Sequence, residues 1–174
     1  EKVIGHWRGE LAGDFGLWAR NAESDEFCRF QRNINPMTGE KLTKRTVTGG
    51  IRFFDFQCAA PKSVSVLTLF DPRLVKAHEE AVCRAMDELE RLAAVRVRVG
   101  ENAQTRNYRI TGRLVYAQFT HDTSRSLDPQ LHTHNVVVNV TKDEDGSYKA
   151  LEALEMCRAI RYAGKVYHNH LARK

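Results

Sequence analysis

Residues 114–141 read LVYAQFTHDTSRSLDPQLHTHNVVVNVT, two alternating runs on either side of a polar loop. From Leu114 to His121 the residues alternate, so that Val115, Ala117, Phe119 and His121 point one way from an extended chain. A polar loop follows. From His132 to Thr141 the alternation resumes, with His132, His134, Val136, Val138 and Val140 on one face. Asp143-Glu144-Asp145-Gly146 then reads as a hairpin turn, with a short strand near Tyr148 pairing back. A hairpin connection implies antiparallel pairing.

Working outward, Ile51 to Cys58 also alternates, with Ile51, Phe53, Asp55 and Gln57 on one side and Arg52, Phe54, Phe56 and Cys58 on the other. Asp55 is a carboxylate within an aromatic strand, and burying it is costly unless it has a partner. The segment from Ser63 to Phe70 reads as either extended or helical, and its periodicity does not decide between them. Asp71-Pro72 is a helix start, with Asp as N-cap and Pro at the first helical position. Leu74, Ala77, Ala81, Ala85, Leu89 and Leu92 recur at helical spacing and predict a helix over about 72–95. Residues 1–50 read as an irregular segment pinned by Trp7, Phe15, Leu17 and Trp18, with a turn at Asn35-Pro36-Met37-Thr38-Gly39 and Thr48-Gly49-Gly50 leading into the next strand. Leu151, Leu154, Ile160, Ala163 and Tyr167 predict a final helix that reaches Lys174 without a cap. The expected fold is α+β: a central antiparallel sheet of strands 51–58, 113–121, 132–141 and 147–150, with helices packed on it.

The chain has 174 residues, which predicts a single domain, and its 42% hydrophobic and 28% charged content excludes a disordered chain. A net charge of +5 permits a nucleic-acid partner, though a solvated basic surface gives the same figure. None of the four cysteines (Cys28, Cys58, Cys83 and Cys157) stand at C-x-x-C spacing, which excludes a zinc ribbon or a thioredoxin-type site. They read as reduced thiols of a cytoplasmic protein. No run of about eighteen apolar residues forms a membrane span, and no signal peptide is visible.

The chemistry lies in the histidines. His132 and His134 stand two apart on a strand, so both rings project from one face, and His121 ends the neighbouring strand. A lone H-x-H is more often structural. With a third imidazole beside it, the pattern predicts one divalent ion held by three neutral nitrogens with coordination positions left open. Asp55, Asp122 and Asp128 are acids able to hold the second nitrogen of a ligating histidine; loop solvation is the competing explanation for the last two. His6, His78, His168 and His170 lack such support and read as surface or packing residues.

His121-Asp122-Thr123-Ser124-Arg125 followed by Asp128-Pro129-Gln130-Leu131-His132-Thr133-His134 resembles the three-histidine motif of conjugative relaxases of the MobF class, within the HUH endonuclease superfamily. Asp55 with Ala60-Pro61-Lys62-Ser63-Val64-Ser65 resembles a second motif of that class. Gly5-His6-Trp7-Arg8-Gly9 with Phe15-Gly16-Leu17 and, more weakly, Pro36-Met37-Thr38-Gly39-Glu40-Lys41-Leu42 resemble its early segments. The resemblance implies a five-stranded antiparallel sheet and an enzyme that nicks single-stranded DNA at a plasmid transfer origin during conjugation. In such enzymes a tyrosine hydroxyl attacks the phosphodiester, leaving a 5′-phosphotyrosyl link and a free 3′-hydroxyl. A divalent ion (Mg, Mn, Zn, Ni or Co) on His121, His132 and His134 polarises the phosphate. Asp55 is the implied catalytic carboxylate, as general base or as orienter of a ligand. Lys62 and Arg125 are the expected phosphate contacts. Implied partners are origin-of-transfer DNA and relaxosome proteins, for a chain expected to be monomeric.

One feature departs from that class. Its nucleophilic tyrosines precede the Trp-x-Gly stretch, and here the first of five tyrosines is Tyr108. No nucleophile is assigned, and the expectation is a single relaxase domain over 1–174, incomplete at both ends and inactive alone. Two alternatives stand beside it: a DNA-binding relative without catalysis, and an unrelated three-histidine metallohydrolase.

Overall fold

The computed structural model describes residues 3–46, 49–97 and 107–173. Its centre is a four-stranded antiparallel sheet in the order β1-β5-β6-β2, where β1 is His6–Arg8, β2 Phe53–Ala59, β5 Tyr116–Thr123 and β6 Pro129–Val138. The alternation of β6 sets the layers. Leu131, Thr133, Asn135 and Val137 are all buried on one face, while His132, His134 and Val136 are half-exposed on the other, which closes over at Val138.

Against the first face pack α3 (Arg73–Glu90) and α5 (Ile160–Leu171), enclosing Phe56, Ala81, Val82, Ala85, Met86, Leu114, Tyr116, Val137 and Tyr167. Small residues on α3 let the helix approach the strands closely. Against the second face lie a 3₁₀ turn (Glu10–Ala12) and α1 (Ser24–Gln31), around Trp7, Phe15, Phe30, Ala117 and Val138. Trp7 stacks on Phe27 at a centroid distance of 5.0 Å and meets Phe30 edge-on at 5.6 Å. Its indole N–H donates to Glu26 Oε2 at 2.6 Å, so the largest buried side chain leaves no orphan donor.

Several boundaries differ from the sequence reading. The long helix stops at Glu90, and Ala94–Val97 (β3) is a strand between β4 (Asn107–Ile110) and β9 (Leu151–Glu152). Leu92 falls at helical spacing by coincidence; Ala93, Ala94 and Val95 form a continuous buried run, as in a strand covered on both sides. Residues 62–67 resolve the ambiguous segment as a short helix, α2 (Lys62–Leu67). The final helical stretch is two helices, α4 (Leu154–Arg158) and α5. Thr141–Lys142 (β7) leaves β6 and pairs with Tyr148–Lys149 (β8) across the Asp143–Gly146 turn, where Gly146 takes a φ of 77°. The central sheet holds four strands among the described residues, not five. The final helix, expected to reach Lys174 without a cap, ends at Leu171 with Ala172 as its C-cap; the expected lead-in residue Thr48 lies outside the described residues.

Candidate metal centre

Strand register builds the site. His121 of β5 stands opposite His132 of β6, and Phe119 opposite His134. From the other side, Gln57 of β2 stands opposite His134 and Ala59 opposite His132. Residues paired across antiparallel strands point to the same face. His121, His132, His134, Asp55 and Gln57 therefore share one face, at the end where the cover from the N-terminal segment stops.

The three rings are near neighbours. Their centroids lie 5.1 Å apart for His121–His132, 5.7 Å for His121–His134 and 5.2 Å for His132–His134. Imidazoles that share an ion at about 2.1 Å have ring centres about 4.5–5.5 Å apart. As the rings stand, no group of three or more His, Cys, Asp or Glu side chains among the described residues is arranged to enclose an ion. The His121–His132 and His132–His134 spacings fall within that range and the His121–His134 spacing lies just above it, so the rings must turn for their nitrogens to converge.

Two of the rings have their outer nitrogen engaged. Asp55 Oδ2 lies 2.6 Å from His134 Nδ1, and the Gln130 carbonyl oxygen lies 2.8 Å from His132 Nδ1. In each case an acceptor at Nδ1 selects the tautomer whose Nε2 carries a free lone pair, the form that binds a cation. The Asp55–His134 contact is 49% and 33% exposed on its two sides, so it contributes little to stability and its effect is to orient the ring. Burial, reinforced by His132 and His134 nearby, holds the His121 pKa below its ordinary value, which favours the neutral ring.

The start of β6 is clamped by α2. Ser65 Oγ accepts from Leu131 N–H at 3.0 Å, Ala60 N–H donates to the Leu131 carbonyl at 2.9 Å, and Lys62 Nζ donates to the Pro129 carbonyl at 2.9 Å. The A-P-K-S-V-S string thus holds the backbone just before His132, a role of Ser65 that residue type alone does not reveal. Arg125 lies in the exposed turn between β5 and β6. Asp122 and Asp128 are not the acceptors on the two engaged rings; a backbone carbonyl and Asp55 fill those places. Beside His121, a cleft of about 650 Å³ is bordered by Ile4, His6, Arg8 and Glu79. Between Ile4 and His6 the backbone packs closely on β5: a side-chain carbon on Gly5 would come within 2.3 Å of the Phe119 ring.

No tyrosine joins this cluster. Tyr116 is buried and points to the opposite face of the sheet, and Tyr167 is buried between α5 and α3. Tyr148 packs on Phe15, Tyr162 reaches Glu88 on the helical layer, and Tyr108 sits on β4.

A model of the TrwC relaxase family matches residues 1–174. The chain is 37% identical over 182 residues to the multifunctional conjugation protein TraI of Escherichia coli, an alignment that covers 97% of this chain and 10% of that protein. It is similar to the conjugative relaxase TrwC solved with oriT DNA in a copper-bound form, with a TM-score of 0.86, 33% identity and coverage of 98% of this chain and 58% of that one. TrwC complexed with a 27-mer DNA comprising the recognition hairpin and the cleavage site gives a TM-score of 0.85 at 34% identity, covering 97% and 60%. The chain spans about a tenth of the curated relative's length. Matched along its whole length by one family model, and sharing the fold of TrwC at a TM-score of 0.86, the chain belongs to the TrwC relaxase family.

Proposed function

We propose that this chain is the metal-binding core of a conjugative relaxase, a single domain that acts on single-stranded DNA at a plasmid transfer origin. The observation that carries the reading is the face shared by His121, His132, His134 and Asp55, with two rings held so that Nε2 is free. Relatives solved with oriT DNA and with bound metal support the same assignment.

Three neutral imidazoles suit a divalent ion and leave coordination positions for oxygen ligands. When bound, the ion supplies Lewis-acid stabilisation of the negative charge that builds on the scissile phosphate. The chain's own residues do the rest. His121, His132 and His134 would hold the ion; Asp55 accepts from His134 Nδ1 and fixes that ring, leaving Nε2 as the nitrogen that would face the ion. Lys62 and Arg125 flank the β5–β6 turn and neutralise DNA phosphates. The tyrosine hydroxyl that attacks phosphorus is assigned to none of the five tyrosines present, because none of them lies at the histidine face.

The experiment is incubation of this chain with Mn²⁺ and a labelled origin oligonucleotide. The expected outcome is binding whose affinity falls steeply with salt as counterions are released, and a denaturing gel with no protein-linked DNA band. A covalent adduct contradicts the tyrosine assignment; salt-independent binding, or none, contradicts the DNA reading.

A further inference from the structure

On the far side of β6 from the metal face lies a buried polar chain that the proposed chemistry does not use. His78, on the inner side of α3, is wholly buried, as is Thr133, the residue between His132 and His134. His78 Nε2 lies 2.8 Å from Thr133 Oγ1, and its Nδ1 lies 2.6 Å from the Tyr167 hydroxyl on α5. Thr133 Oγ1 in turn lies 3.0 Å from Thr120 Oγ1 on β5. One imidazole thereby ties two helices to the two strands that carry all three histidines.

A leucine at position 78 would fill the same space without the desolvation that a buried imidazole incurs. What a hydrogen-bonded ring adds is direction: two nitrogens in a fixed plane lock partners that apolar packing lets slide. Burial, with His132 nearby, pushes the His78 pKa down to about 4, so at neutral pH the ring has one donor and one acceptor, and both are used. The side chain of Thr133 points away from the metal face, and the rotation of β6 about that residue sets the directions in which His132 and His134 leave the strand.

We propose that His78 is a positioning residue for the metal centre: acting through Thr133 and braced by Tyr167, it fixes the pitch of β6 from behind and so the convergence of His132 and His134. This rests on the reading of that face as a metal site. It predicts that loosening the network weakens metal binding although no group in it touches the metal.

The test titrates Co²⁺ into wild type, Thr133→Val, Tyr167→Phe and His78→Leu, recording affinity and the visible absorption bands that report ligand geometry. Thr133→Val and Tyr167→Phe each remove one hydroxyl at nearly constant shape, so they carry the test even in the event that His78→Leu fails to fold. The expected result is affinity about tenfold weaker in Thr133→Val and His78→Leu, with shifted bands, and a smaller loss in Tyr167→Phe. Leu89→Ala, which opens a cavity three turns along the same helix from His78, is expected to match wild type. Folded Thr133→Val and Tyr167→Phe proteins with wild-type affinity and bands overturn the proposal, as does an equal loss in Leu89→Ala, which marks general loosening. Absence of binding by wild type is a separate result: it refutes the metal reading itself and the proposal with it.

Discussion

The exposed contact between Asp55 and His134 spans 2.6 Å, and its value is directional rather than energetic. An unpaired carboxylate on a strand of phenylalanines was the anomaly in the sequence, and its position opposite Val136, one step along the face from His134, gives it a partner. Removing it frees the ring to rotate and to exchange tautomers. Asp55→Ala is therefore expected to weaken divalent-metal affinity by about 10- to 100-fold, measured by calorimetric titration, while leaving unfolding by urea nearly unchanged. Equal metal affinity in the variant would falsify the orienting role. The matching device at His132 is a backbone carbonyl, that of Gln130. Every residue has a carbonyl, so this acceptor carries no signature in sequence, whereas Asp122 and Asp128 are recognisable by type and yet are not the acceptors on these rings.

Elements were legible where periodicity was long and uninterrupted. Period-two alternation gave β2, β5 and β6 to within about three residues, and with them the common face of the histidines. It failed where signals overlapped or were short. The helical spacing of α3 ran on into Leu92, which hid β3, whose pairing with β4 and β9 is decided by distant segments. α1 is eight residues long and its Glu23 N–H is capped by the Glu26 carboxylate at 3.0 Å, with glutamate where serine, threonine, aspartate or asparagine ordinarily marks a helix start. The same carboxylate accepts from the buried Trp7 indole. Glu26→Ala thus strands a buried donor and uncaps the helix at once, and is expected to cost about 2–3 kcal/mol in urea unfolding. Because Glu26 contacts Trp7, Glu23 and Arg20 and none of the three histidines, metal affinity in the folded variant should equal that of wild type. A loss below about 0.5 kcal/mol would show that Glu26 is not the link between α1 and the sheet.

In the whole molecule, one sheet separates two tasks. Its helical side holds the main core and the His78 chain; its other side is closed by aromatics at one end and carries the histidines, open to solvent, at the other. The three-histidine string and its flanking residues pointed to this arrangement from sequence, because metal ligands must be of few types and at fixed strand spacing. The buried polar bracing behind β6 was not legible, since His78 lies 42 residues or more from the threonines it joins only through tertiary packing. Convergence of His121, His132 and His134 on one divalent ion underlies the whole arrangement. Diffraction from crystals grown with Mn²⁺, collected on both sides of the manganese absorption edge, decides whether it occurs. One anomalous peak is expected on this face, about 2.1–2.3 Å from a nitrogen of each ring, and it should disappear in His132→Ala. A peak elsewhere on the surface, or none at saturating Mn²⁺, would contradict it.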